Sequence, residues 1–343
     1  MKITSTSLLI FLILIAKPLL SQDEIICFVY HRFGDNRYPS TNIQTELFHK
    51  HLQYIKSKGF RVLTLSEAIT GLKKNTLQGK TAVITIDDGY KSFKTGAVPI
   101  LEEYGYPATL FINTNTIGGH DYLSWKDIRE IRDKGIEIGN HSHSHAYFLN
   151  MKKKERKQKF RDDLRQSQKI LKEQTGTAPV VYSYPYGEYD ETMQKVLEEE
   201  GFLCAAAQNS GVISKYSNLY SLPRFPMNEK YAGLEGFITK ASMHALPVTG
   251  IISGHTVFEN NPPMLKLKIE KEKIIPDQIQ CFIDGSRSCI KETTISGKAL
   301  ILGIKSKGVL NNRRTLYTIT APRTGDKGWC WFSHVWVNPE VEE

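Results

Sequence analysis

Thr81-Ala82-Val83-Ile84-Thr85-Ile86-Asp87-Asp88-Gly89-Tyr90 is the stretch on which the fold turns. Its first six residues read as a buried strand, and two adjacent carboxylates stand at the strand's end. Successive strand side chains point to opposite faces, so both carboxylates reach one pocket only if the chain turns there. Gly89 permits that turn. Taken alone, the run reads equally well as an Asp-Gly turn with helix-capping carboxylates.

Similar apolar runs recur on either side, at residues 25–30, 60–64, 108–112, 136–138, 180–184, 202–206 and 248–252. Between them lie helical patterns. One has Thr45 as its expected cap, carries Phe48, Leu52 and Ile55 on one face and ends at Gly59. Ser124-Trp125-Lys126-Asp127 has the form of a capping box, opening a helix that stops at Gly135. Two further helices are predicted over Lys153 to Thr175 and Tyr189 to Glu200, the latter closed by Gly201. Strands alternating with helices imply βαβ units and a parallel sheet. Seven or more units favour a closed or nearly closed barrel, whose functional groups gather where strands end. After Asn260-Asn261-Pro262-Pro263 the pattern changes to short alternating runs with glycine turns. Three units are therefore expected: a leader over 1–22, a catalytic domain over 23–262 and a small β-sandwich-like domain over 263–343. Core packing is the first explanation for the tryptophans of Trp329 to Trp336.

The leader joins Lys2 to the apolar run Ser7 to Ala16 and a small residue at Ser21, the plan of a secretory signal. The run is shorter than the roughly 20 residues that a membrane span needs, so an exported protein is expected. The chain of 343 residues carries 45 Lys+Arg against 36 Asp+Glu, a net charge of +9. Such a balance suits an acidic glycan or a surface polyanion, and no nucleic-acid module accompanies it. Five cysteines leave at least one thiol unpaired. Cys27 and Cys204 sit in strand-like runs, whereas Cys281, Cys289 and Cys330 cluster late in the chain, where one disulfide is expected.

The chemistry concentrates at strand ends. His141-Ser142-His143-Ser144-His145 follows the run 136–140, and in a helical turn His141 and His145 share a face that can bind one cation. With one carboxylate they form a facial set that leaves positions open for water and substrate. Tyr184-Pro185-Tyr186-Gly187 bends an exposed backbone, where an N–H can meet a developing oxyanion. His255, after Ile251-Ile252-Ser253-Gly254, stands where a general acid belongs.

Thr85-Ile86-Asp87-Asp88-Gly89, His141-Ser142-x-x-His145, Tyr184-Pro185-Tyr186-Gly187 and His255 together resemble the NodB-type polysaccharide deacetylases, over about residues 25–260. Tyr30-His31-Arg32-Phe33 is similar to the branch that includes poly-N-acetylglucosamine deacetylases. The resemblance implies a distorted (β/α) barrel followed by the small all-β domain. It implies Asp87 as general base, and Asp88, His141 and His145 as ligands of a divalent metal, usually zinc. The Tyr186 N–H would serve the oxyanion, and His255 would protonate the leaving amine. The family places an arginine two residues before the proline; here that position is Ser183, and Arg224 is the candidate replacement.

The activity implied is removal of N-acetyl groups from an N-acetylglucosamine-containing polysaccharide, either peptidoglycan or poly-N-acetylglucosamine, with chitin also open. An O-acetyl esterase would use the same residues. A catalytically silent glycan-binding protein is the alternative from another class.

Overall fold

Thr81–Ile86 forms a strand buried along its whole length, and the main sheet is organised around it. In this computed structural model, residues 23–287 and 289–342 are described; the expected leader lies outside them. Thr81–Ile86 pairs in parallel with Glu24–Tyr30, Ile25 opposite Thr81 and Tyr30 opposite Ile86. Thr109–Ile112, Glu137–Asn140, Val181–Ser183 and Cys204–Ala206 follow in order, each parallel to the one before. Parallel neighbours need crossover connections, and these run through Val98–Tyr104, Trp125–Asp133, Lys153–Thr175 and Glu191–Glu199. Segment 222–226 then returns. Leu222 bridges Ala206, and Phe225 pairs in parallel with Phe28. The sheet therefore curls until its last strand is linked back to its first, the distorted barrel expected.

Local signals set the helix starts. Ser124 and Asp127 form the expected capping box. Thr45 is not a cap: Gln44 holds that position without a side-chain bond. The sequence reading missed the helix Leu65–Lys74, although Thr64 and Glu67 close a capping box at its start.

The C-terminal region consists of two four-stranded sheets. One joins His244–Ala245, Trp329–Val337, Arg314–Pro322 and Gln280–Ile283; the other joins Val248–Ser253, Met264–Glu270, Ala299–Ser306 and Cys289–Ser296. Burial alternates along Met264–Glu270, as in a sheet with one covered face. Leu265, Leu267, Ile269, Leu302, Tyr317 and Trp336 share the core between the sheets. Cys281 and Cys289 form a disulfide linking them, and Cys330 is a buried free thiol.

Two expectations need correction here. The run near Val248 is not a barrel strand, because Val248–Ser253 pairs antiparallel with Met264–Glu270. His244–Ala245 pairs with Trp329–Val337, so the β-region starts by His244, ahead of the boundary expected at 263. The two parts also share a core. Val335 and Val337 pack with Phe148, Leu149 and Tyr184 of the barrel, and Trp331 meets Phe225 edge-on at 5.7 Å and donates its Nε1–H to Ser210 Oγ at 2.9 Å. Among the described residues, no helix is long and apolar enough to cross a membrane.

Candidate metal centre

The parallel register fixes the first half of the site. With Tyr30 opposite Ile86, the residues that follow each strand, His31 and Asp87, are brought side by side. The Asp87 N–H bonds the Tyr30 carbonyl at 3.0 Å. Asp88 and Gly89 then take φ of 75° and 77°, a left-handed turn that separates the two carboxylates. Asp88 lines an open cavity, whereas Asp87 stays fully buried beneath it.

Asp87 is held by Arg224. Nη1 donates to Oδ1 and Nη2 to Oδ2, both at 2.8 Å, and Ser183 Oγ donates to Oδ2 at 3.1 Å. Arg224 itself is fully buried and also bonds Ser183 Oγ, Thr85 Oγ1 and the Ala207 carbonyl. Segment 222–226, by bridging the first and last barrel strands, delivers this guanidinium beneath the site. Burial, the largest influence, raises the Asp87 pKa, but Arg224 together with His141 and His31 outweighs it and keeps the carboxyl below its ordinary range.

The second half follows Glu137–Asn140. Here the expected helical turn is absent. Ser142 and His145 adopt φ of 71° and 52°, and the loop is secured by side chains. Asn140 Oδ1 accepts from Ser142 N, Ser142 Oγ from His145 N, and the Asp163 carboxylate from the N–H groups of His143 and Ser144. His143 turns away to Thr114 and Gln166.

The result still brings His141 and His145 together. Their Nε2 atoms lie 3.2 Å apart, and Asp88 Oδ1 is 3.2 Å from the first and 3.4 Å from the second. Tetrahedral ligands about 2.0–2.2 Å from a zinc ion stand about 3.3–3.6 Å from one another, so the three atoms fit a divalent cation. His141 Nδ1 lies 2.8 Å from the Ser183 carbonyl, which can only accept. That assigns the proton to Nδ1 and turns the Nε2 lone pair toward the cluster, the usual outer support of a ligating imidazole. Among the described residues, this is the one cluster of three such groups.

Tyr186 also carries left-handed backbone, at φ 59°. Asp88, Ser142, His145 and Tyr186 thus account for four of the six non-glycine residues with positive φ among those described. Such strain gathers at functional sites because packing must over-determine it. Gly187 follows at φ 70°, and a Cβ there would stand 2.5 Å from Gln208 Cβ. The Tyr186 ring stacks on Tyr147 at 3.7 Å and meets the His145 ring edge-on.

Three residues without a sequence-assigned role complete the cavity of about 540 Å³: His31, Asn113 and Arg314. His31 is partly buried, and burial lowers its pKa against the opposing pull of Asp88 and Asp87. Asn113 is 1% exposed and its Nδ2 has no partner. Its Oδ1 is engaged by Asn115 N and Thr116 N, so the amide keeps a donor for whatever enters. A histidine directly after the first strand was the legible signal for His31. Nothing local marks Arg314.

His255 is not in this site. It is largely exposed, its Nδ1 lies 2.6 Å from Glu191 Oε1, and it lines a different cavity. The cause is the pairing already described: the strand before it belongs to the β-region, so its end opens away from the barrel mouth.

The β-region does reach the site through Arg313. Its Nε and Nη2 donate to the two oxygens of Glu188 at 2.7 and 2.8 Å, and both side chains are almost fully buried. Glu188 directly follows the Tyr186-Gly187 turn, so the clamp ties that turn to the C-terminal sheets. Breaking a buried pair from one side leaves an uncompensated charge. Arg313→Gln is expected to lower stability by about 2–3 kcal/mol, with Arg314 retaining part of the contact. A urea-unfolding midpoint equal to that of the native chain would show that the clamp contributes nothing.

Residues 74–205 match the polysaccharide deacetylase family. A poly-beta-1,6-N-acetyl-D-glucosamine N-deacetylase of Staphylococcus aureus is 26% identical over 212 residues, 59% of this chain and 73% of that protein. The Streptococcus pyogenes deacetylase PplD, solved in complex with acetate, aligns with a TM-score of 0.59 at 22% identity, over 64% of this chain and 99% of its own. IcaB from Ammonifex degensii aligns with a TM-score of 0.56 at 24% identity, over 63% and 97%. At these identities the two structures bear on the fold, which they share with the barrel described above.

Proposed function

We propose that this chain, which carries a NodB-type polysaccharide deacetylase domain over residues 74–205, removes N-acetyl groups from N-acetylglucosamine residues of a polysaccharide outside the cytoplasm and releases acetate. The observation that carries the reading is the Asp88–His141–His145 set opening on the cavity. These residues would hold a divalent metal, and two imidazoles with one carboxylate suit zinc. Such an ion, when bound, lowers the pKa of water and polarises an acyl carbonyl.

The chain's own residues handle protons and position. Asp87, kept ionised by Arg224, accepts a proton through the lone pairs that the guanidinium leaves unused. Tyr186, fixed in its left-handed turn, offers its backbone N–H to the acyl oxygen as negative charge develops there. His31 protonates the departing nitrogen, taking the role first given to His255. An amine leaves poorly without that proton, and an imidazole of lowered pKa is the stronger acid once protonated.

The complete set of groups favours an enzyme over a silent glycan-binding protein. N-acetylglucosamine is favoured over an O-acetyl ester by the named Staphylococcus aureus relative. Peptidoglycan and poly-N-acetylglucosamine both supply it, and the secretory plan of residues 1–22 would bring the chain to either.

Acetate release from both polymers, with and without a chelator, tests the reading; it is sunk if chelation leaves release intact. His141→Ala is expected to lose both bound metal and hydrolysis. A fully metallated His141→Ala protein would overturn the ligand assignment.

A further inference from the structure

A second cavity, of about 360 Å³, lies where the barrel meets the β-region. Segment 209–218 forms one side, and Val248–Ser253 and Trp329–Val337 supply residues to the other. It shares no lining residue with the cavity that holds Asp88, His141 and His145. Hydrogen bonds close the seam: Asn209 Nδ2 donates to the Ser333 carbonyl at 3.1 Å, and Ser333 Oγ donates to the Ser210 carbonyl at 2.6 Å. Because Nδ2 meets a carbonyl, the other end of the Asn209 amide is the acceptor Oδ1. That atom has no partner, and neither has His334 Nε2. Both side chains line the cavity and are more than nine-tenths buried, at 8% and 5% exposed. Unpaired polar atoms at that depth cost free energy that a ligand recovers by meeting them.

Among the described residues lining this cavity, none carries a permanent charge. Burial, with His255 adding to it, lowers the His334 pKa to about 3, so the imidazole is neutral as well. An ionic ligand would be desolvated here without a counter-charge. The half-buried Trp331 with Val248 and Ile251 makes the wall partly apolar, and Ser210 adds a hydroxyl. A pyranose matches that division, with C–H groups on its faces and hydroxyls around its edge.

We propose that this cavity binds an uncharged sugar unit of a glycan, as a second site separate from the metal cavity. The ligand brings an O–H or N–H donor to Asn209 Oδ1 and lays its apolar face against Trp331, Val248 and Ile251. The inference goes beyond the deacetylase reading and does not depend on it.

Neutral tri-N-acetylchitotriose is the probe. Calorimetry is the readout, on the full chain carrying His141→Ala, which by the ligand assignment above does not hydrolyse it. Binding is expected to persist there, and adding Asn209→Leu should weaken it about tenfold, the scale of one lost hydrogen bond. A trimer of galacturonic acid should bind at least about tenfold more weakly than the neutral trimer. In the zinc-loaded chain, Asn209→Leu alone should leave the kcat of acetate release from the neutral trimer within about twofold. A loss of kcat as large as the loss of binding would place the effect at the metal cavity and overturn the proposal. No binding by the His141→Ala chain, unchanged binding on adding Asn209→Leu, or equal binding of the two trimers would also overturn it. If Asn209→Leu folds poorly, Ile251→Glu takes its place: that side chain is 50% exposed, and the change sets a carboxylate where apolar contact is proposed. Unchanged binding there counts against the proposal. Binding that behaves as expected, without acetate release from any N-acetylated glycan by the native chain, would sink the deacetylase reading and leave this inference standing.

Discussion

Zinc-loaded His31→Ala protein is expected to release acetate about 10²–10⁴-fold more slowly than the native chain, the range that one positioned proton donor contributes. His255→Ala is expected to stay within about twofold of the native rate. The contrast follows from placement. His31 stands beside Asp87 through the register of Glu24–Tyr30 on Thr81–Ile86 and lines the same cavity as Asp88. His255 lies against Glu191 in a separate exposed cavity. Neither histidine is in the proposed ligand set, so both variants should retain zinc, and metal content measured beside turnover separates a lost proton donor from a lost site. A His255→Ala protein that loses turnover while His31→Ala retains it would return the role to His255.

The same pair of histidines shows where sequence reasoning stops. Both follow an apolar run and both read as strand-end residues. What separates them is which sheet the run joins, and that depends on long-range pairing: Glu24–Tyr30 with Thr81–Ile86, and Val248–Ser253 with Met264–Glu270. The exposure of Val248–Ser253, unlike the burial of Glu24–Tyr30, reflects its position at a sheet edge.

The metal cluster was more legible, because Asp88, His141 and His145 each lie within a few residues of a strand end whose position the apolar pattern marks. Even so, a helical spacing argument brought the two imidazoles together for a different reason from the one found. Ser142 and His145 reach the cluster through left-handed backbone, a conformation that composition does not announce for serine or histidine. Arg313 and Arg314 were beyond reach altogether: they act on the barrel only because Val335, Val337 and Trp331 dock the β-region against it.

Arg224→Ala is expected to be among the most destabilising substitutions in the chain, at about 3–5 kcal/mol, because it leaves a buried carboxylate without its partner. Arg224 and Asp87 are both fully buried, and the guanidinium makes both of its bonds to the carboxylate at 2.8 Å. Ser183 Oγ would remain as a single neutral donor, too little to offset the desolvation of a charge.

The sign of the pH dependence follows from the direction of the Asp87 shift. Its folded pKa lies below the ordinary value, so the ionised pair stabilises the native chain above about pH 3.9, the unfolded carboxyl pKa. That contribution is lost as pH falls through the depressed folded value. Without Arg224, burial is opposed only by His141 and His31, so the Asp87 pKa should rise and the acid limb of the stability curve should move to higher pH. Asp87→Asn alone strands the guanidinium instead and should also destabilise. Replacing both residues, as Arg224→Met with Asp87→Leu, should recover much of the loss, since apolar pairs of similar volume often match a buried ion pair. Urea-unfolding midpoints across a pH series would show all three effects. An Arg224→Ala protein as stable as the native chain at pH 7, with an unmoved acid limb, would mean that Asp87 is not held ionised by this pair.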